Sequence, residues 1–261
     1  MLKFLENRSA EWSRIYDALL ITAAFLLVCW ALWLFQTQLG YAINRWGLRP
    51  RNPRGLVGIG TMHFLHNTRD IEHILNNTLS FTVLNTMLFY FYRKVGWKVL
   101  LWTMFAGAAL LWLWGRPSNH IGASLVIFGI AGFLFFSGIF RTDQQSMRIS
   151  LLTAFWYGGI VWGIFPIDPT KSWEGHASGL AIGILMALLL RKQGPQRKKY
   201  QWEIDEELEA AEDARLGISD AEILEEYTSP PESHHTSDES DEVPVHYIIT
   251  PKKKPEQGNE S

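Results

Sequence analysis

Long apolar runs alternate along the chain with short charged joints. Windows of about 17 or more apolar residues are the length a helix needs to cross a bilayer. Such runs occupy residues 18–38, 74–92, 99–115, 121–140 and 149–167, and a slightly shorter one, holding His176, occupies 175–190. The pattern predicts an all-α membrane protein: a six-transmembrane-helix bundle over residues 17–193, after a cytoplasmic N-terminus over 1–16. The first run is too long for the apolar core of a secretory signal and shows no small-residue cleavage site, so it reads as a retained span. Between the first two runs lies a long first loop, residues 40–72.

The character changes near Gly194. Residues 1–193 carry 17 Lys+Arg and 8 Asp+Glu, whereas 194–261 carry 7 and 18, so a mildly negative chain is a basic body joined to an acidic tail. Residues 203–227 have the composition of one or two short helices. Residues 228–242, rich in Ser, Pro, Glu, Asp and His, read as disordered, making 194–261 a largely disordered acidic cytoplasmic tail. The tail serves solubility; a second reading is a docking segment for a cytoplasmic partner around VHYIITPKKKP.

Charge also orients the bundle. Arg93, Lys94 and Lys98 flank the second loop, Arg141 and Arg148 the fourth, and Arg191, Lys192, Arg197, Lys198 and Lys199 follow the last run. Cytoplasmic loops concentrate such residues, so both termini are expected inside a cell membrane. The first loop conflicts, with Arg45, Arg49, Arg51, Arg54 and Arg69 on the outer side. It is expected to fold against the bilayer, with Trp46 and the arginine stems as anchors.

Polar side chains inside spans are costly and mark function. His73 and Asn77 lie four apart at the start of the second run, Ser124 near the start of the fourth and His176 near the start of the sixth. With both termini inside, these three runs point the same way, so the four residues share one depth near the outer surface. Gly179 and Gly183 follow His176 by three and seven residues on one helix face, and Gly122, Ala123, Gly129 and Gly132 sit in the fourth run. Small residues let membrane helices approach closely, which would bring an imidazole to a serine hydroxyl. A serine is activated by such a base, and Asn77, His73 and the Ser124 backbone N–H supply donors for an oxyanion. Neither Asp168 nor Glu174 is placed to complete a triad. Cys29 stands alone, without a disulfide or thiolate metal site.

These residues resemble the rhomboid family of intramembrane serine proteases. GAS at Gly122–Ser124 matches the family's G-x-S motif, GHASGLAIG its histidine with spaced glycines, and HILNN, from His73 to Asn77, its H-x-x-x-N motif. LRPRNPRGLVGIGTMHFLH, GRPSNHIGAS and SWEGH resemble one bacterial branch, and the likeness covers roughly residues 15–192. It implies a rhomboid-like fold and a multi-pass protein whose Ser124–His176 dyad cleaves single-span membrane proteins near the outer surface. It also implies His73 and Asn77 as the oxyanion hole, with Gly122, Phe128, Gly179 and Gly183 in support; Phe128 occupies an aromatic position on which the family's catalytic histidine packs. No cofactor, metal or nucleic-acid partner is implied.

Two positions depart from the family. Leu125 follows the serine where glycine is usual, and its isobutyl group is expected to narrow the oxyanion mouth. Thr68 occupies a usual histidine position, five before His73; His66, seven before, fits if two residues are inserted within NTRDIE. Among rival classes, a zinc protease lacks its H-E-x-x-H motif. Bis-histidine haem ligation by His73 and His176 leaves Ser124 and Asn77 unexplained, and a transporter's repeated halves are not visible. The alternative is a catalytically inactive rhomboid-like protein that binds membrane proteins; the presence of both Ser124 and His176 favours the protease.

Overall fold

The computed structural model describes residues 2–40, 42–141, 143–195 and 200–216. The chain divides into two units, Met1–Lys199 and Tyr200–Ser261. In the first, the long helices are α1 (Leu2–Leu39), α3 (Ile71–Phe91), α4 (Arg93–Trp114), α5 (Ser124–Arg141), α6 (Gln144–Tyr157) and α7 (Trp173–Leu189); the first loop holds the one-turn helix α2 (Gly58–Thr61) and three 3-10 turns. Among the described residues there is no sheet, and three helical stretches are long and apolar enough to cross a membrane: Glu11–Leu39, Arg93–Trp114 and Ser124–Arg141. The second unit contains α8 (Gln201–Leu216), an acidic helix that overlaps the first part of the stretch 203–227 read as helical; residues 228–242 and VHYIITPKKKP lie outside the described residues.

Helix α5 forms the centre, packed against α7 most extensively and also against α6, α4 and α3, while α1 lies on α3. Its sequence explains this place: Leu125 to Leu134 is buried without a break, so α5 has no polar face to turn outward. By contrast α6 exposes Leu151, Phe155 and Trp156, and α4 exposes Leu101, Trp102 and Phe105. Apolar surface of that extent suits lipid rather than water.

Polar staples fix the peripheral helices. Asn85 Nδ2 donates to Thr22 Oγ1 (2.9 Å) and Trp30 Nε1 to Thr78 Oγ1 (3.1 Å), both tying α1 to α3. The buried Arg141 at the end of α5 donates Nη2 to Leu190 O (2.7 Å) and Nη1 to Gln193 O, tying α5 to the turn that follows α7.

Boundaries differ from the sequence reading at two places. Helix α1 runs from Leu2, well before the apolar window, because residues 2–17 hold no glycine or proline to stop a helix that the window nucleates. The fifth run is not one helix. Asp143 caps α6, accepting from Ser146 N (2.9 Å), so the helix begins at Gln144. It stops at Tyr157, and Gly158–Ile164 continues as a 3-10 stretch that opens on two glycines.

Candidate active site

Each expected residue enters the site from the first turns of a helix. Asp70 caps α3, its carboxylate accepting from His73 N (3.0 Å), which places His73 and, one turn later, Asn77 on the face toward α5. Ser172 caps α7, its hydroxyl accepting from Gly175 N (3.2 Å), and His176 follows in the first turn. Ser124 is the first residue of α5.

The seam between α5 and α7 is made by glycine. A Cβ on Gly179 would overlap the carbonyl oxygen of Leu125, and one on Gly183 would overlap that of Gly129. Backbone therefore meets backbone at two points about one helical turn apart. His176 precedes Gly179 by three residues and Ser124 precedes Leu125 by one, so the seam sets the imidazole beside the start of α5.

The ring of His176 lies flat on Phe128, centroids 4.0 Å apart and planes 5° from parallel. Its Nδ1 stands 2.8 Å from Gly163 O. A carbonyl only accepts, so Nδ1 carries the proton and the neutral ring keeps its lone pair on Nε2. Among the described residues Nε2 makes no hydrogen bond, to Ser124 or any other group; contacts of this kind are often open until substrate arrives. His176 is buried and Ser124 half-buried.

Helix α3 meets the backbone just before Ser124. Gly122 holds φ +115°, a left-handed conformation that side chains resist, and its N–H donates to Met62 O of the first loop (2.9 Å). A Cβ there would lie 2.9 Å from His73 Nε2 and 3.4 Å from Asn77 Nδ2. Two donor-bearing side chains thus converge on bare backbone two residues before Ser124. His66 backs them: Asn77 Nδ2 donates to His66 Nε2 (3.0 Å), and the His66 and His73 rings meet edge to face at 5.4 Å.

The model described as the Rhomboid domain matches residues 53–193, more than half the chain. The chain belongs to the rhomboid family. Uncharacterised proteins of Mycobacterium tuberculosis and Mycobacterium bovis are each 34% identical over 163 residues, which cover 58% of this chain and 65% of theirs. Thus the match spans just under two thirds of those relatives. An uncharacterised protein of Mycobacterium leprae is 28% identical over 203 residues, covering 74% of this chain and 77% of its own length.

Leu125 does not turn toward His73 and Asn77: its side chain packs on α4, where a Cβ on Gly107 would lie 2.8 Å from Leu125 Cδ2, and it is 1% exposed. Residues 65–70, which include His66 and lead into α3, are irregular, and they leave His66 against Asn77 and His73. Gly163 was not legible as a site residue. It contributes only a carbonyl, from a 3-10 stretch that hydropathy alone reads as continuous helix. Glu174 faces Arg116 (3.4 Å) rather than the His176 ring.

Proposed function

We propose that this rhomboid is an intramembrane serine endopeptidase that cleaves single-span membrane proteins near the outer face of the cell membrane. Helices α1 and α3–α7 are its six spans, with both termini in the cytoplasm. Ser124 Oγ attacks the scissile carbonyl and passes its proton to His176 Nε2. The tetrahedral oxyanion draws on His73, Asn77 and the Ser124 N–H. His176 then returns the proton to the departing amine, and water, activated by the same ring, releases the acyl group from Ser124.

The observation that carries this reading is the glycine seam, which leaves no room between the backbones that bear Ser124 and His176. The single Nδ1 bond to Gly163 O adds to it, because it leaves the ring's other nitrogen basic. In place of a triad's carboxylate, a backbone carbonyl holds the tautomer.

The test is cleavage of a panel of single-span membrane proteins by the purified full chain in proteoliposomes. Ser124→Ala and His176→Ala should each lose nearly all peptide-bond cleavage while remaining folded. Turnover unchanged in His176→Ala would discredit the dyad. A folded native chain that cleaves nothing, yet retains the panel as well as Ser124→Ala does, supports the inactive, membrane-protein-binding alternative.

A further inference from the structure

The segment GRPSNH, before α5, and Ser172–Glu174, opening α7, have no part in the chemistry above, yet they meet. His120 is 2% exposed, and its backbone exchanges two hydrogen bonds with Leu48 of the first loop, 2.8 and 3.0 Å. Its Nε2 lies 3.1 Å from Arg116 O and its Nδ1 2.6 Å from Ser172 Oγ. These partners fix every proton. A carbonyl only accepts, so Nε2 donates to it; Nδ1 of the neutral ring then accepts from the Ser172 hydroxyl. The hydroxyl oxygen, in turn, accepts from Gly175 N (3.2 Å). Burial holds the His120 ring below its ordinary pKa, which favours this neutral form. A second tie runs beside the first: Arg116 Nη2 donates to Lys171 O (2.5 Å), and its Nε stands 3.4 Å from the buried Glu174 carboxylate.

The register is what gives these ties consequence. His120 lies four residues before Ser124, and Ser172 four before His176. Ser172 O also accepts from the backbone N–H of His176 (3.1 Å). One side-chain bond thus joins the two loop segments that start the two helices of the proposed dyad, just upstream of both its members.

Resting on the protease reading, we propose that His120 is a positioning residue: through Ser172 it locks the start of α7 to the segment entering α5, and so holds the His176 ring in register with Ser124. It touches no reacting atom. A displacement of about 1 Å at such a pair costs on the order of 100-fold in rate, so loss of the tie should act on kcat.

The experiment uses the full chain in proteoliposomes, with rates normalised to folded protein recovered as the monodisperse peak in size-exclusion chromatography. His120→Ala and Ser172→Ala should each lower kcat by about 10- to 100-fold with KM little changed. The double variant should be no worse than the poorer single, because both cut the same tie. His120→Asn keeps an acceptor near the place of Nδ1 and should recover most of kcat. His120→Gln, whose amide nitrogen reaches the place of Nε2, should not. Amide hydrogen exchange at Gly175 should speed up in His120→Ala and Ser172→Ala alike. Full kcat in Ser172→Ala, losses that multiply in the double variant, or equal rescue by Asn and Gln would overturn the assignment. If His120→Ala does not fold, Ser172→Ala and His120→Asn still decide. If the native chain neither cleaves nor takes a fluorophosphonate label, the protease reading fails, and exchange at Gly175 judges the tie separately: equal rates in native and variant chains would refute it.

Discussion

Asn77 shows how one residue's role depends on its second partner. Its amide donates to His66 Nε2 while its Nδ2 also faces the bare Gly122 backbone, where His73 Nε2 converges. An amide nitrogen has two protons, so one can hold His66 while the other meets an oxyanion. Asn77→Ala should lower kcat about 10²- to 10³-fold, the usual cost of removing one oxyanion donor. Steady-state cleavage by folded variant protein checks this; a loss seen only in KM would place Asn77 in substrate binding instead. The H-x-x-x-N spacing was enough to put His73 and Asn77 on one face. No spacing rule, however, could show that Leu125 turns away to Gly107, because rotamer choice at a helix start answers to the neighbouring helix.

At the scale of elements, the account rests on α5 and α7 touching through backbone. Gly179→Ala adds a Cβ that overlaps the Leu125 carbonyl. The helices must part, so activity should fall by about 100-fold or more, and overpacking should cost about 1–3 kcal/mol of stability. Gly60→Ala, with nothing within 4 Å of the added carbon, should leave both unchanged. Melting curves and cleavage rates for the pair check this. The seam was legible in the sequence because the phase of Gly179 and Gly183 with His176 is a property of helical period alone. The break in the fifth run was not: Gly158 and Gly159 lie inside an apolar window whose hydropathy hides a change from α-helix to 3-10. Nor was the long start of α1, where helix propensity, not hydropathy, sets the boundary.

At the scale of the whole molecule, the first loop is tied to the site through Met62 O on Gly122 and His66 on Asn77. Its arginines conflicted with the charge rule, yet the same loop supplies two buried histidines. Burial pushes His63 and His66 down to about 4, the neighbouring His73 adding to the shift at His66. In an unfolded chain a histidine titrates near 6.5. Between these values the unfolded chain binds more protons, so stability rises with pH there. The contribution is present above about pH 6.5 and lost as pH falls through about 4, on the order of 3 kcal/mol for a fully buried ring such as His63. Tryptophan-fluorescence melting should therefore show a lower midpoint at pH 4.5 than at pH 7. His63→Gln, which can still donate toward Met104 O, should flatten that dependence; an unchanged slope would show that His63 does not drive it.

Covalent capture of the nucleophile tests the central claim most directly. The purified chain is treated with a serine-directed fluorophosphonate in membranes, and the adduct is mapped by mass spectrometry. The account predicts a single adduct on Ser124, absent from Ser124→Ala and nearly absent from His176→Ala. An adduct on another serine, or equal labelling of Ser124 with and without the His176 imidazole, would contradict it.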